Sequence, residues 1–202
     1  MKAIVPAAGI SKRLRPHTET TPKALLEVAG KPILAHILDE LVSLGIDEVV
    51  LIVGYLGERI QTFARERYAG LRLHFVSQDE PLGNGHAVYV AREHLDSSPA
   101  LIIFGDTIIK GELAGVLRSR RSLAGVTEVA DPRWLGVVEL GPDVNIRRII
   151  EKPQDPAHES SSHWWLLHTK SSVVARGVGT TGGGEPPGTR KVLAVGRPPI
   201  DD

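Results

Sequence analysis

The order of apolar segments in this chain predicts an α/β fold with a mainly parallel sheet flanked by helices. Three observations predict it. Short apolar strands alternate with amphipathic helices over roughly the first hundred residues, the pattern of right-handed βαβ units. Ala100 to Phe104 is an unbroken apolar run, as expected of a strand covered on both faces. The segments after the strands are rich in glycine and polar residues, and ligands gather at the carboxyl ends of the strands in open α/β sheets.

Taken in order, Ala3-Ile4-Val5 reads as a short buried strand that runs into a glycine-containing loop. Pro32 opens an amphipathic helix carrying Ile33, Leu34, Ile37, Leu38 and Leu41 on one face, and Gly45 closes it. Glu48 to Val53 is an apolar strand, Arg59 to Tyr68 a helix, and Leu71 to Val76 alternates like a strand. Gly85 to Leu95 is helical, with Ala87, Val90 and Ala91 on one face. Shorter strands follow at Val126 to Val129, Gly136 to Leu140 and Ile146 to Ile150, the last two joined around Gly141-Pro142-Asp143.

Charge and composition narrow the function. The 24 Lys and Arg balance 24 Asp and Glu, so no basic excess points to nucleic acid or an anionic membrane. The chain has no cysteine, which removes disulfides, thiolate metal sites and cysteine nucleophiles and suits a reducing compartment. With no apolar run of membrane-spanning length and a first strand at Lys2, a cytoplasmic protein is expected.

Three loops carry the chemistry. The first, Pro6-Ala7-Ala8-Gly9-Ile10-Ser11-Lys12-Arg13-Leu14-Arg15-Pro16, with Lys23 shortly after, offers close backbone amides and several cations to a polyphosphate. It matches neither the dinucleotide G-x-G-x-x-G nor the G-x-x-x-x-G-K-[ST] pattern, and taken alone it reads equally well as a basic surface loop. The loop Gln78-Asp79-Glu80-Pro81-Leu82-Gly83-Asn84-Gly85-His86 pairs an amide side chain with glycines at a helix start, which suits a base edge and its flat face. In Phe104-Gly105-Asp106-Thr107 a carboxylate ends a buried strand; a hard oxygen there suits Mg²⁺, although a turn-capping Asp is the commoner fate of Gly-Asp.

These loops, together with Glu151-Lys152-Pro153, resemble the sugar-1-phosphate nucleotidyltransferases, also called nucleoside-diphosphate-sugar pyrophosphorylases. The resemblance is collinear over about residues 1–157, and within the family it is strongest to the glucose-1-phosphate thymidylyl- and uridylyltransferases. It implies a Rossmann-like nucleotidyltransferase fold and the following roles. Ala8, Gly9 and Ser11 lie against the nucleotide, while Arg13 and Lys23 neutralise the triphosphate and the departing pyrophosphate. Gln78 and Gly83 read the base, Asp106 holds Mg²⁺, and Gly136, Glu151 and Lys152 hold the sugar 1-phosphate. The reaction it implies is in-line attack of the sugar phosphate on the α-phosphorus of an NTP, with dTTP or UTP favoured, to give an NDP-sugar. The substrates are small molecules, with no nucleic acid or membrane partner, and family members are often homo-oligomeric. A non-catalytic nucleotide-binding remnant and a mannose-1-phosphate guanylyltransferase-like enzyme are the alternatives.

The departures from the family pattern are informative. Ser11 and Lys12 stand where the usual G-x-G-T-R-L has its second Gly and its Thr, and Asn84-Gly85 replaces the frequent Thr-Ala. After Ala157 the character changes: 7 of the 21 Gly and 4 of the 14 Pro fall in the last 45 positions, and no sustained periodicity is evident. The expectation is a nucleotidyltransferase domain over 1–157, incomplete on its C-terminal side and lacking the family's second metal-binding aspartate, and an atypical tail over 158–202. One permitted set of codons for His163 to Asp202, read one base later, yields leucines at helical spacing without a stop, so the tail reads as disordered or out of frame. Within it, Gly177 to Gly182 matches G-x-G-x-x-G without a helix to follow, and His158, His163 and His168 read as solvated. His86 and His94 read as packing or facing water, and Arg118, Arg120 and Arg121 as a solvated helix end.

Overall fold

The computed structural model describes residues 1–80, 82–96, 98–109, 113–118, 122–128, 136–140, 145–151, 162–169 and 190–195. In chain order the elements are β1 (Lys2–Pro6), α1 (His17–Thr20), β2 (Glu27–Val28), β3 (Lys31–Pro32), α2 (Ile33–Ser43), β4 (Glu48–Val53), α3 (Gly57–Arg67) and β5 (Arg72–Ser77). They continue with α4 (Asn84–Val90), β6 (Ala100–Ile103), α5 (Leu113–Arg118), β7 (Leu123–Glu128), β8 (Gly136–Leu140), β9 (Asn145–Glu151), β10 (Ser162–Thr169) and β11 (Arg190–Val195). Short 3₁₀ turns occupy Lys12–Leu14, Lys23–Leu25 and Arg92–His94.

Nine strands form one sheet in the order β5-β4-β1-β6-β10-β7-β11-β9-β8. The β5-β4-β1-β6 half is parallel throughout, as the alternation of strands and helices requires. Its core follows from strand parity. Ala3, Val5, Val49, Leu51, Leu101 and Ile103 face one side and pack against Leu34, Leu38 and Leu41 of α2 and Ile60 and Ala64 of α3. Ile4, Val50, Ile52 and Ile102 face the other side, where Ala87 and Val88 of α4 and the following Ala91 cover them. Burial on both faces explains why these strands read as apolar runs, and each fully buried Leu or Ile contributes about 1.5–3 kcal/mol.

Two local differences from expectation have physical causes. The helix expected over 85–95 stops at Val90 and continues as the 3₁₀ turn Arg92–His94. Below that turn the Lys2 ammonium, in a residue only 9% exposed, donates to the His94 carbonyl at 2.7 Å and to Asp96 Oδ2 at 3.0 Å. A buried cation needs such acceptors, and the chain turns to supply them. Between loop and helix, the β2–β3 hairpin turns on Ala29 and Gly30, both at positive φ, a two-residue connection too short for periodicity to reveal.

The larger difference lies in the tail. Residues 162–169 are not patternless: they form β10, hydrogen-bonded antiparallel to β6 on one side and β7 on the other. Residues 190–195 form β11, paired with β7 and β9. The pairing is made by backbone groups, and Trp164-Trp165-Leu166-Leu167 is an apolar run of strand length with no alternation to recognise. His158, Arg120, Arg121 and the glycine motif at 177–182 lie outside the described residues.

Candidate functional site

The chain leaves β1 for β4 and β5 on one side and returns to β6 on the other, so the strand order reverses between β1 and β6. A crevice at the carboxyl ends of strands forms at such a point. Three loops are laced together there by backbone bonds that extend the ladders. Ala7 N donates to Ile52 O, Gly105 N to Pro6 O and Gln78 N to Val53 O, each at 2.8 Å. Two glycines make this approach possible. A Cβ on Gly105 would lie 2.6 Å from Pro6 O, and one on Gly54 would lie 3.0 Å from Ala8 O and 3.1 Å from Gln78 O. Gly54 therefore sits between the first loop and the Gln78 loop.

In the first loop Ala8 is buried against the sheet and Gly9 is exposed. Ser11 adopts φ 51°, ψ 48°, the left-handed region, which accounts for glycine being usual at that position of the motif. The Thr18 hydroxyl, in a residue 2% exposed, donates to Ser11 O at 3.1 Å and holds the turn from below. The chain then enters the 3₁₀ turn that carries Lys12 and Arg13, and Lys12, Arg13 and Arg15 are all exposed. The Tyr55 hydroxyl after β4 donates to Glu19 O at 2.9 Å, tying α1 to the strand ends.

The 3₁₀ turn after Pro22 carries Lys23, and its ammonium donates to Asp106 Oδ2 at 2.6 Å across 83 residues of sequence. Both side chains are about one-third exposed, at 32% and 39%. The structure thus brings together two of the residues assigned to phosphate and metal. Thr107 Oγ1 lies 3.3 Å from the other carboxylate oxygen of Asp106.

Gln78, at the end of β5, is 7% exposed. Its Nε2 donates to Gly83 O at 3.0 Å and lies 3.1 Å from His86 Nδ1. Gly83 has φ 96° and ψ −177°, a conformation available essentially to glycine alone, and it opens α4 so that its first turn folds back over Gln78. His86 is the neighbour of Gln78 that sequence reasoning missed. The signal was its place three residues after Gly83, one helical turn into α4, which returns a side chain toward the residue that precedes the turn.

Gly136 and Glu151 are register partners across the antiparallel β8–β9 ladder. Leu166 of β10 pairs with Ile103 at the end of β6, and Ser162 and His163 pair with Val138 and Val137. Because β10 runs opposite to β6, this register carries the start of β8 to the carboxyl-end side of the sheet, where the loops converge. Lys152 lies outside the described residues.

Asp106 fits a Mg²⁺ that arrives with its substrate. Among the described residues no group of three or more His, Asp or Glu is placed to hold a metal. Mg²⁺ nevertheless needs only one or two carboxylates when phosphates and water complete its shell, and a partly exposed hard oxygen at a strand end meets that need.

The fold and site define an open α/β domain whose first loop follows neither the dinucleotide nor the P-loop pattern. The chain belongs to the nucleotidyl transferase family, whose model matches residues 2–178. A UTP–glucose-1-phosphate uridylyltransferase, AglF, of Haloferax volcanii is 36% identical over 165 residues, covering 77% of this chain and 67% of that protein. A glucose-1-phosphate thymidylyltransferase of Streptomyces antibioticus is 37% identical over 163 residues, covering 77% of this chain but only 46% of that one, so this chain spans less than half of that relative. A crystal structure from Bacillus anthracis, in complex with sucrose, shares the fold with a TM-score of 0.75 at 24% identity, over 87% of this chain and 73% of that one. Among the described residues no helix is long and apolar enough to cross a membrane.

Proposed function

We propose that this chain transfers a nucleotidyl group from UTP or dTTP to a hexose 1-phosphate, releasing pyrophosphate. The observation that carries the reading is the convergence of three loops at the strand ends, with Lys23 and Asp106 in contact at 2.6 Å beside the basic 3₁₀ turn. Such a site handles phosphoryl oxygens by positioning and charge, and the reaction needs no protein nucleophile.

In this reading the backbone around Ala8, Gly9 and Ser11 lies along the nucleotide, and Arg13 and Lys23 neutralise the triphosphate and then the pyrophosphate that leaves. Gln78 and Gly83 hold the base. Asp106 holds Mg²⁺, which when bound neutralises charge on the phosphate oxygens. Gly136, Glu151 and Lys152 hold the sugar 1-phosphate, whose oxygen attacks the α-phosphorus in line as the bond to pyrophosphate breaks. The nucleotide and catalytic residues all lie within 1–157, on a sheet that also takes in β10 and β11.

A panel of NTPs and hexose 1-phosphates, followed by pyrophosphate release and NDP-sugar formation, tests this. The expected outcome is turnover that is fastest with UTP or dTTP and requires Mg²⁺. Nucleotide binding without turnover on any pair would instead make the chain a non-catalytic member of the family, and preference for GTP would move it to the guanylyl class.

A further inference from the structure

We infer that His86 is a positioning residue that fixes which hydrogen-bonding atom Gln78 offers to the nucleotide base; the inference rests on the reading of Gln78 as the base-binding side chain. The Gly83 carbonyl can only accept, so the Gln78 atom 3.0 Å from it must be the amide nitrogen. The partner therefore fixes the orientation of the amide. An amide nitrogen has two hydrogens. One goes to Gly83 O, and the other meets His86 Nδ1 at 3.1 Å, so Nδ1 must be the unprotonated acceptor of an Nε2–H imidazole.

Both hydrogens of Gln78 are then spent inside the protein, and Oε1 accepts nothing among the described residues. Gln78 is 93% buried by its 7% exposure, so an idle amide oxygen there is costly unless a ligand donates to it. The arrangement turns a side chain able to donate or accept into one that only accepts. A base is matched when its ring nitrogen carries hydrogen, as N3–H of uracil and thymine does. Cytosine presents a bare N3 acceptor at the same place and is mismatched. Without His86 the second amide hydrogen is released, and Gln78 can serve either kind of base.

The two roles of His86, filling space or consuming a hydrogen, are separated by two variants. His86→Ala removes the acceptor. In His86→Asn, Oδ1 is bonded to Cγ just as Nδ1 is, so an acceptor returns at nearly the same position. Binding of UTP and of CTP to the full chain is measured by calorimetry for wild type and both variants, and the tautomer of His86 is read from ¹⁵N shifts of the imidazole. Wild type should prefer UTP over CTP by about tenfold or more, the worth of one hydrogen bond gained or mismatched. His86→Ala should reduce that ratio by about tenfold, mainly by improving CTP, and His86→Asn should restore it. The spectrum should show Nδ1 unprotonated.

An unchanged UTP to CTP ratio in His86→Ala, an Asn variant no better than Ala, or a protonated Nδ1 overturns the inference. Equal weakening of both nucleotides does so too, since that is what lost packing alone would produce. If wild type binds UTP and one of these results is found, only the role of His86 falls. If wild type binds neither triphosphate, the reading of the whole site falls with it.

Discussion

The loop after β1 and the loop after β5 meet at Gly54, yet they are built on opposite physical terms. The first is exposed, carries Lys12, Arg13 and Arg15 into solvent, and tolerates a serine in a left-handed conformation. The second buries an uncharged amide and ties its nitrogen at two points. Attraction between charges is long-ranged and weakly directional, so a phosphate loop can work while solvated and loosely placed. A hydrogen-bond pattern discriminates only where water cannot substitute for the missing partner and the dipole cannot turn. In the proposed reading, affinity for the triphosphate and choice of base therefore reside in separate places.

The largest expected effect breaks the comparison from outside both loops. Asp106→Asn removes the proposed metal carboxylate and the partner of Lys23, and should lower the rate of pyrophosphate release by about 10²-fold or more whatever the base. Activity of that variant within twofold of wild type would remove Asp106 from the mechanism. Arg13→Ala acts on the exposed loop. It should weaken NTP binding by about tenfold to a hundredfold, as for a lost charge-assisted bond, and equally for every base. A base-dependent loss, seen by titrating UTP and CTP side by side, would merge the two loops into one function.

Gly54→Ala attacks the junction itself. Its new Cβ meets Ala8 O and Gln78 O at 3.0 and 3.1 Å, so a loss of about 1–3 kcal/mol in urea unfolding is expected, with poorer binding of every nucleotide. The smallest effect belongs to Ser11→Gly. Relief of the left-handed conformation should raise stability by no more than about 1 kcal/mol and leave base preference untouched. A fall in the urea midpoint for that variant would show that the serine side chain contributes more than its backbone strain costs.

Much of this was legible in the residues. The continuous apolar run of β4 gave it its limits at Glu48 and Val53, because burial on both faces leaves no polar position to blur the ends, and the turn residues flanking Gly136 to Leu140 bounded β8. The three site loops were legible too, since strand ends in a parallel sheet must converge. What escaped were contacts that depend on the return of distant chain. Lys23 finds Asp106 across 83 residues, and nothing local to either residue indicates the other. His86 escaped because a lone histidine on a short helix has no periodic signature. β10 escaped because it was sought by alternation, which Trp164 to Leu167 lacks; its place between β6 and β7 is set by backbone pairing with distant chain.

Gly54 has a meaning beyond close packing. The spacing between the first loop and the Gln78 loop, which we propose hold the triphosphate and the base, is set where Gly54, carrying only hydrogen, lies against Ala8 and the Gln78 carbonyl. That spacing acts as a ruler. Side chains along either loop can be exchanged for a different base or a different sugar while the ruler keeps its length, so this family scaffold can change its substrates without being rebuilt.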